Sequence, residues 1–250
     1  MTRHISLCLL AVLASSCSAN FDRKQIQERI ADQSLQLNEQ EVAEVLKLKP
    51  QLKLPCRVAV HLASEKGSAT WRWTQRDRDV VEAWGKKLKA DKVVSDFFVL
   101  TDLFTRGTSL KDLRVTAARH GADALFILRG GAQVDGYVNA ASALYITIVG
   151  GWLVPGNHRD ALFLLEGGLV DVHNGFLYTT AETEGESGIV RPVFLLDDQD
   201  NRDVVENAKQ KALEDFGKRI VERIRDLEPT TAIGKGEDAK SAPSPLSSNG

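Results

Sequence analysis

Ala161-Leu-Phe-Leu-Leu-Glu-Gly-Gly-Leu-Val-Asp-Val-His-Asn-Gly-Phe-Leu-Tyr-Thr-Thr-Ala-Glu182 decides the fold of this 250-residue chain. Ala161 to Val172 is apolar and long enough for a strand, Asn174-Gly175 is a strong hairpin turn, and Phe176 to Glu182 returns antiparallel. Upstream, Arg57 to Ala63 alternates as a strand, with Val58 and Val60 on one face and Ala59 and His61 on the other. A helix follows with Val80, Val81, Trp84 and Leu88 on its apolar side, capped by Asp77 or Asp79. Val93 to Leu100 is strand-like. Ser109 and Asp112 form a capping pair ahead of Leu113, Val115, Ala117 and Ala118, and Gly121 stands where a left-handed residue ends a helix. Ala124 to Leu128 is a continuous apolar run, the mark of a strand buried on both faces. The order predicts an α/β (mixed α+β) single domain, a mixed sheet covered by helices.

Downstream of the hairpin, Glu184 to Gln199 reads as a loop rich in acids and glycine. A long carboxyl-terminal helix from about Arg202 to Leu227, capped by Asp200 or Asn201, carries Val205, Ala208, Ala212, Phe216, Ile220 and Ile224 on its core face. Between the two halves lies Ala140 to Val154, the least polar segment, which suits a helix or a long strand and is too short to span a bilayer. Pro155-Gly156-Asn157 ends it as a turn. Upstream of the domain, Val42, Val45, Leu46 and Lys49 recur at helical spacing until Pro50.

The amino terminus carries an address. Arg3 and His4 precede the apolar stretch Ile5 to Leu13, and Ala14-Ser15-Ser16 supplies small residues, the features of a secretory signal peptide. Cys17 directly after them resembles the lipobox of bacterial lipoproteins, with Leu13 one position further back than the commonest arrangement. The resemblance implies a diacylglycerol thioether on Cys17, cleavage before it, and acylation of the new amine; the alternative is a secreted chain cleaved near Ser16 or Ala19. Several acyl chains on one residue anchor firmly. Ser18, in place of an aspartate that retains lipoproteins at the inner membrane, implies the outer membrane, facing the periplasm. The expected organisation is a signal over 1–16, an acylated tether with a charged helical segment over 17–51, the α/β domain over 52–228, and a disordered Ser, Pro, Gly and Lys-rich tail over 229–250.

The domain's wording adds a family likeness. Arg57-Val-Ala-Val60, His120-Gly-Ala-Asp-Ala-Leu125, Gly168-Leu-Val-Asp-Val-His-Asn-Gly175 and Tyr178-Thr-Thr-Ala-Glu182 resemble the α/β domain shared by the curli-export lipoprotein, the lipoprotein activators of penicillin-binding proteins and the amino-terminal domain of the Tol–Pal translocation protein. More narrowly, Leu144-Tyr-Ile-Thr-Ile-Val-Gly150 through Val154-Pro-Gly156 and Asp160-Ala-Leu-Phe163 resemble the rhombotarget-type lipoproteins of proteobacteria. The likeness covers roughly residues 52–228. It implies a protein that binds other proteins or assembles, and it brings no catalytic residue. Channel-forming curli exporters contribute two membrane-spanning hairpins per subunit; here 184–199 and 130–140 are too short, too acidic or too glycine-rich for them.

Composition narrows the chemistry. A hydrophobic share of 43%, a charged share of 26% and a formal charge of −2 are ordinary for a globular protein and give no basic excess for nucleic acid. Of three cysteines, Cys8 leaves with the signal and Cys17 is lipidated, so Cys56 stands alone, a buried small hydrophobe or a reactive thiol. His61, His120, His158 and His173 are scattered and read as surface or turn residues; no zinc spacing or cofactor motif occurs, so neither a metal nor a cofactor is expected. Asp197-Asp198-Gln199-Asp200-Asn201 lacks the glycine and glutamate of an EF-hand loop and reads as a helix cap. Glu182, Glu184 and Glu186 share one face of an extended strand, either a solvated strand end or a carboxylate pair.

The candidate partner-binding residues are Trp71, Arg72, Trp73 and Arg76, in an aromatic and basic loop from Trp71 to Asp77, with Tyr145 and Trp152 in the apolar segment. One tryptophan of the loop packing in the core is the competing reading. The apolar segment is either a helix covering the sheet or a docking face for a partner or the bilayer. The functional expectation is a non-enzymatic, lipid-anchored envelope protein that binds another envelope protein of unknown identity as an assembly, secretion or cell-wall accessory. An oligomeric export component is the alternative and a hydrolase the third.

Overall fold

The computed structural model describes residues 21–30, 39–63, 70–101, 105, 107–139, 152–153 and 155–227. The signal and Cys17, Tyr145 and most of Ala140 to Val154, and the tail over 229–250 lie outside the described residues.

A five-stranded sheet in the order β2-β1-β3-β4-β5 forms the centre, from β1 (Cys56–Ala63), β2 (Val94–Val99), β3 (Ala124–Val138), β4 (Asn157–Asp171) and β5 (Leu177–Arg191). β1 runs parallel to both β2 and β3, and the β3-β4-β5 pairings are antiparallel. The mixed α/β fold is therefore as the sequence predicts. The helices are α1 (Arg23–Ile30), α2 (Glu39–Val45), α3 (Gln75–Ala90), α4 (Leu110–Arg119) and α5 (Asp198–Arg225). Among the described residues, no helix is long and apolar enough to cross a membrane.

Alternation along β4 divides the core into two faces. Ala161, Phe163 and Leu165 join Phe126 of β3 beneath α3 and α5, where Val81, Trp84, Leu88, Ala208, Ala212, Phe216 and Ile220 are buried. Leu162 and Leu164 face the other way and meet Ile26 and Ile30 of α1. Further along that second face, α4 covers Ala59, Leu125 and Val170 with Leu113 and Ala117. The predicted stripe of the long helix is buried throughout, whereas Val42, Val45 and Leu46 of the amino-terminal stripe are exposed. It is α1, from the preceding charged stretch, that packs on the sheet.

Several local expectations are corrected. Thr74, not Asp77 or Asp79, caps α3; its hydroxyl accepts from the Asp77 amide, and the Asp77 carboxylate accepts the Thr74 amide in return. Asp197, not Asp200 or Asn201, caps α5 in the same reciprocal way, with Asp200 at the third helical position. Both helices thus start several residues earlier than predicted, because the acids serve as the far half of each capping box. Glu184 to Gln199 is not a loop: β5 continues to Arg191, a short 3₁₀ turn covers Val193–Leu195, and α5 begins at Asp198. The glycines there are packing devices. A Cβ on Gly185 would overlap the Ala208 carbonyl oxygen, so α5 lies against β5 only because that side chain is missing. Likewise β3 does not end at Leu128 but runs through Gly130-Gly131 to Val138, with Ile26 and Ile30 of α1 seated over Gly131.

The hairpin turn is held by a buried acid. Gly175 adopts φ +80°, and its amide donates to the Asp171 carbonyl at 3.0 Å. The Asp171 carboxylate accepts from the His173 amide at 2.8 Å and the Tyr178 hydroxyl at 2.7 Å. Tyr178 in turn accepts from the amides of Gln51 and Leu52, pinning the chain that enters β1. Burial, and then the bond to Asp171, push the Tyr178 phenol up to about 12.

Candidate functional site

The antiparallel register brings three ionisable side chains into one row across the second face. Arg129 of β3 stands opposite Glu166 of β4, and Glu166 opposite Glu182 of β5. Directly opposed residues on one face have Cβ atoms about 4.5–5.5 Å apart. Burial, with Glu182 beside it, raises the Glu166 carboxyl above its ordinary range, and the Arg129 charge opposes that rise only in part.

This row closes one end of a groove of about 630 Å³ on the second face. Its floor is Ile127, Gly168, Val170 and Thr180; Leu110 and Leu113 of α4 form one wall, and Leu177 and Arg223 stand at the β5 side. α1 bounds the charged end, where Gln27 donates to Glu182 at 3.1 Å and Arg129 donates to the Ile30 carbonyl at 3.4 Å. Leu110 and Leu177 remain about half exposed although both are large and apolar. An apolar floor with a charged end and two exposed leucines suits a segment that brings one apolar and one polar group.

Sequence reasoning missed this site. Arg129 falls beyond the predicted end of its strand, and the β4 register that pairs Glu166 with Glu182 is not written in either strand alone. Glu182, Glu184 and Glu186 share one face and are exposed as expected, though in the middle of β5 rather than at a strand end. Arg23 of α1 donates to Glu184 at 2.9 Å and to Glu186 at 3.0 Å, and its hydrogen bond holds the Glu184 carboxyl below its ordinary range.

The predicted aromatic loop lies on the opposite face. Trp71 is buried, edge-on to Phe163 at 4.9 Å and to Trp73 at 5.2 Å. Trp73 is half-buried and donates its indole N–H to the Ala63 carbonyl at 3.0 Å. Arg72 and Arg76 are exposed. The loop is fastened from below by Lys209, fully buried, which donates to the Arg72 carbonyl at 2.9 Å and pairs with the buried Asp77 carboxylate at 2.6 Å. The tryptophans therefore fill the space beside β3 where it outruns β1. Trp152 stands far from the groove, 5.4 Å from Phe194 and half exposed.

Nucleophile chemistry finds little support. Burial pushes the Cys56 thiol up to about 12, which leaves it protonated at neutral pH. Among the described residues no three His, Cys, Asp or Glu side chains gather as metal ligands. His61 is buried, contrary to the surface reading, because β1 is a central strand covered on both faces. His158 stacks on Tyr137 at 4.7 Å, His120 caps α4, and His173 sits in the hairpin turn.

The raised Glu166 carboxyl gives a pH prediction. Its folded form binds a proton more tightly than its unfolded form, so its ionisation costs stability once pH rises above the unfolded value. Glu166→Gln should therefore raise the melting temperature at pH 7 and change it much less at pH 4, where the folded form is protonated and the unfolded form mostly so. A thermal scan at the two pH values checks this; a variant less stable at pH 7 would mean that the Arg129 pairing outweighs burial.

No family model matches this chain, and no curated protein matches it. Solved structures resemble it. The lipoprotein GNA1162 from Neisseria meningitidis is 12% identical, with 69% of this chain and 100% of that chain covered at a TM-score of 0.36. The PelC dodecamer from Paraburkholderia phytofirmans is 12% identical over 72% of this chain and 94% of that chain, at 0.31. A minor lipoprotein from Acinetobacter baumannii is 7% identical over 70% and 93%, at 0.33.

Proposed function

We propose that this chain is a lipid-anchored envelope protein, held at the outer membrane through acylated Cys17, that captures a segment of another envelope protein in the groove between α4 and β5. The observation that carries the reading is the groove itself: an apolar floor, two exposed leucines at its rim, and a charged row at one end. Interface anchors are large apolar or aromatic groups surrounded by polar rims, which is this arrangement. Its lining holds no histidine or cysteine, and its one hydroxyl near α4, Ser109, is engaged with Asp112 as the helix cap. The apolar floor and the exposed leucines favour binding of a partner segment.

The role is that of an assembly, secretion or cell-wall accessory. The resemblance in the β1, β3 and hairpin wording to envelope lipoproteins, and the narrower one to the rhombotarget type, support the same reading. Intact-mass measurement on protein from native envelopes tests the anchor: the expected start is a triacylated Cys17, and a bare start at Ala19 would overturn it. Leu177→Asp tests the groove. Leu177 is exposed, so the variant should fold normally and lose capture of its partner, with a cost of about 2 kcal/mol or more typical of a hot spot.

A further inference from the structure

The far end of the β3-β4-β5 arm gathers large apolar side chains in solvent. The register puts Val138, Asn157 and Arg191 side by side at this tip. Val138 is 51% exposed, and Trp152 and Leu153, which lead into β4, are 51% and 72% exposed. Val190 at the end of β5 and Phe194 and Leu195 just after it are exposed as well. Monomeric proteins rarely leave such a group uncovered without a use for it.

The amino-terminal chain says what covers it. At the start of α1, the Asp22 amide donates to the Gln133 side chain and Arg23 reaches Glu184 and Glu186; later residues Gln27 and Arg29 reach Glu182 and the Ala132 carbonyl. The helix thus runs away from the tip, and its amino-terminal end lies nearest to it. Gln133 is five register steps short of Val138, about 16 Å at ~3.3 Å per residue. Cys17 precedes Phe21 by four residues, which extended reach about 14 Å. Four extended residues therefore let the anchor reach from the amino-terminal end of α1 toward the tip. The tip's chemistry suits a bilayer surface: Trp152 and Phe194 pack together and Tyr137 stacks on His158 in the sheet, aromatic groups of the kind that sit at headgroup depth, while Arg191 is held by Asp200 at 3.3 Å.

We propose that this tip is a second membrane contact, seated in the headgroup region of the bilayer that holds Cys17. It rests on the lipid-anchor reading and deepens it by fixing orientation. The domain stands on the arm, with the groove near Gly168 about 36 Å along β4 from Asn157, directed away from the membrane toward a partner.

The test uses the full acylated chain in vesicles of phosphatidylethanolamine with a minor share of phosphatidylglycerol, their acyl chains brominated to quench nearby tryptophan. Intact mass on the same sample reports Cys17 acylation, so failure of the anchor and failure of the tip are read separately. The expected result is partial quenching that disappears in Trp152→Phe, and reduced quenching in Phe194→Ser with an unchanged melting temperature. Acylated protein with no quenching, or with quenching unchanged by Trp152→Phe, would overturn the proposal. So would a concentration-dependent dimer in place of quenching that is lost in Phe194→Ser, since the tip would then belong to a second copy.

Discussion

Asp77→Ala is expected to destabilise the domain by about 3–5 kcal/mol, because it leaves the fully buried Lys209 ammonium without its buried counter-charge. The carboxylate also accepts the Thr74 amide at 2.7 Å and the Gln210 side-chain amide at 2.6 Å, so one substitution removes half of a capping box and two ties between α3 and α5. Glu206, partly exposed and 2.7 Å from Lys209, keeps some neutralisation and places the loss toward the lower end. Against a total stability of about 5–15 kcal/mol this is a large fraction. Pairing Asp77→Leu with Lys209→Met should recover much of it, since apolar replacements of both partners of a buried pair are often neutral. Urea unfolding of the three proteins measures the effect; a loss under about 1 kcal/mol for Asp77→Ala would contradict the account of this pair.

Phe216→Ala is the other large effect expected, again about 3–5 kcal/mol. Phe216 is fully buried on α5, between Trp84 of α3 at 5.8 Å and Phe126 of β3 at 6.0 Å. The rigid backbone around it limits collapse: a Cβ at Gly167 would already crowd its ring, so the strand has approached as far as it can. Both the helix and the sheet lose a contact that neither can replace. Folding at wild-type stability with alanine there would mean that α5 packs elsewhere.

Period and turn chemistry made much of this fold legible. Ala161 to Glu182 reads as a hairpin because Asn174-Gly175 between two apolar runs is a turn signal, and Val205 to Ile224 reads as a core stripe because its spacing is helical. Where the reading stopped short, long-range pairing replaced local preference. Glycine at 130, 131 and 185 argues locally for a break, yet each accommodates a neighbour packed on a continuous strand. Glutamates 184 and 186 argue locally for solvent and are exposed, but nothing local announces that Arg23, more than 160 positions away, pairs with both. Lys209 sits beside Ala208 on the buried stripe and pairs with Asp77 across 132 positions. The row Arg129, Glu166 and Glu182 needs a register that no single segment encodes. The groove was therefore hidden from the sequence, and the aromatic loop that did stand out turned out to place Trp71 in the core.

Groove capture is tested most directly by site-specific photo-crosslinking in native envelopes. A photoreactive phenylalanine analogue is placed at Leu177 on the groove rim and, as a control, at the exposed Lys86 of α3 on the opposite face. A discrete crosslinked species from position 177, absent from position 86 and lost when Leu110→Asp is added, is the predicted result. Equal yields from the two positions, or no adduct from position 177 in a folded and acylated protein, would contradict it.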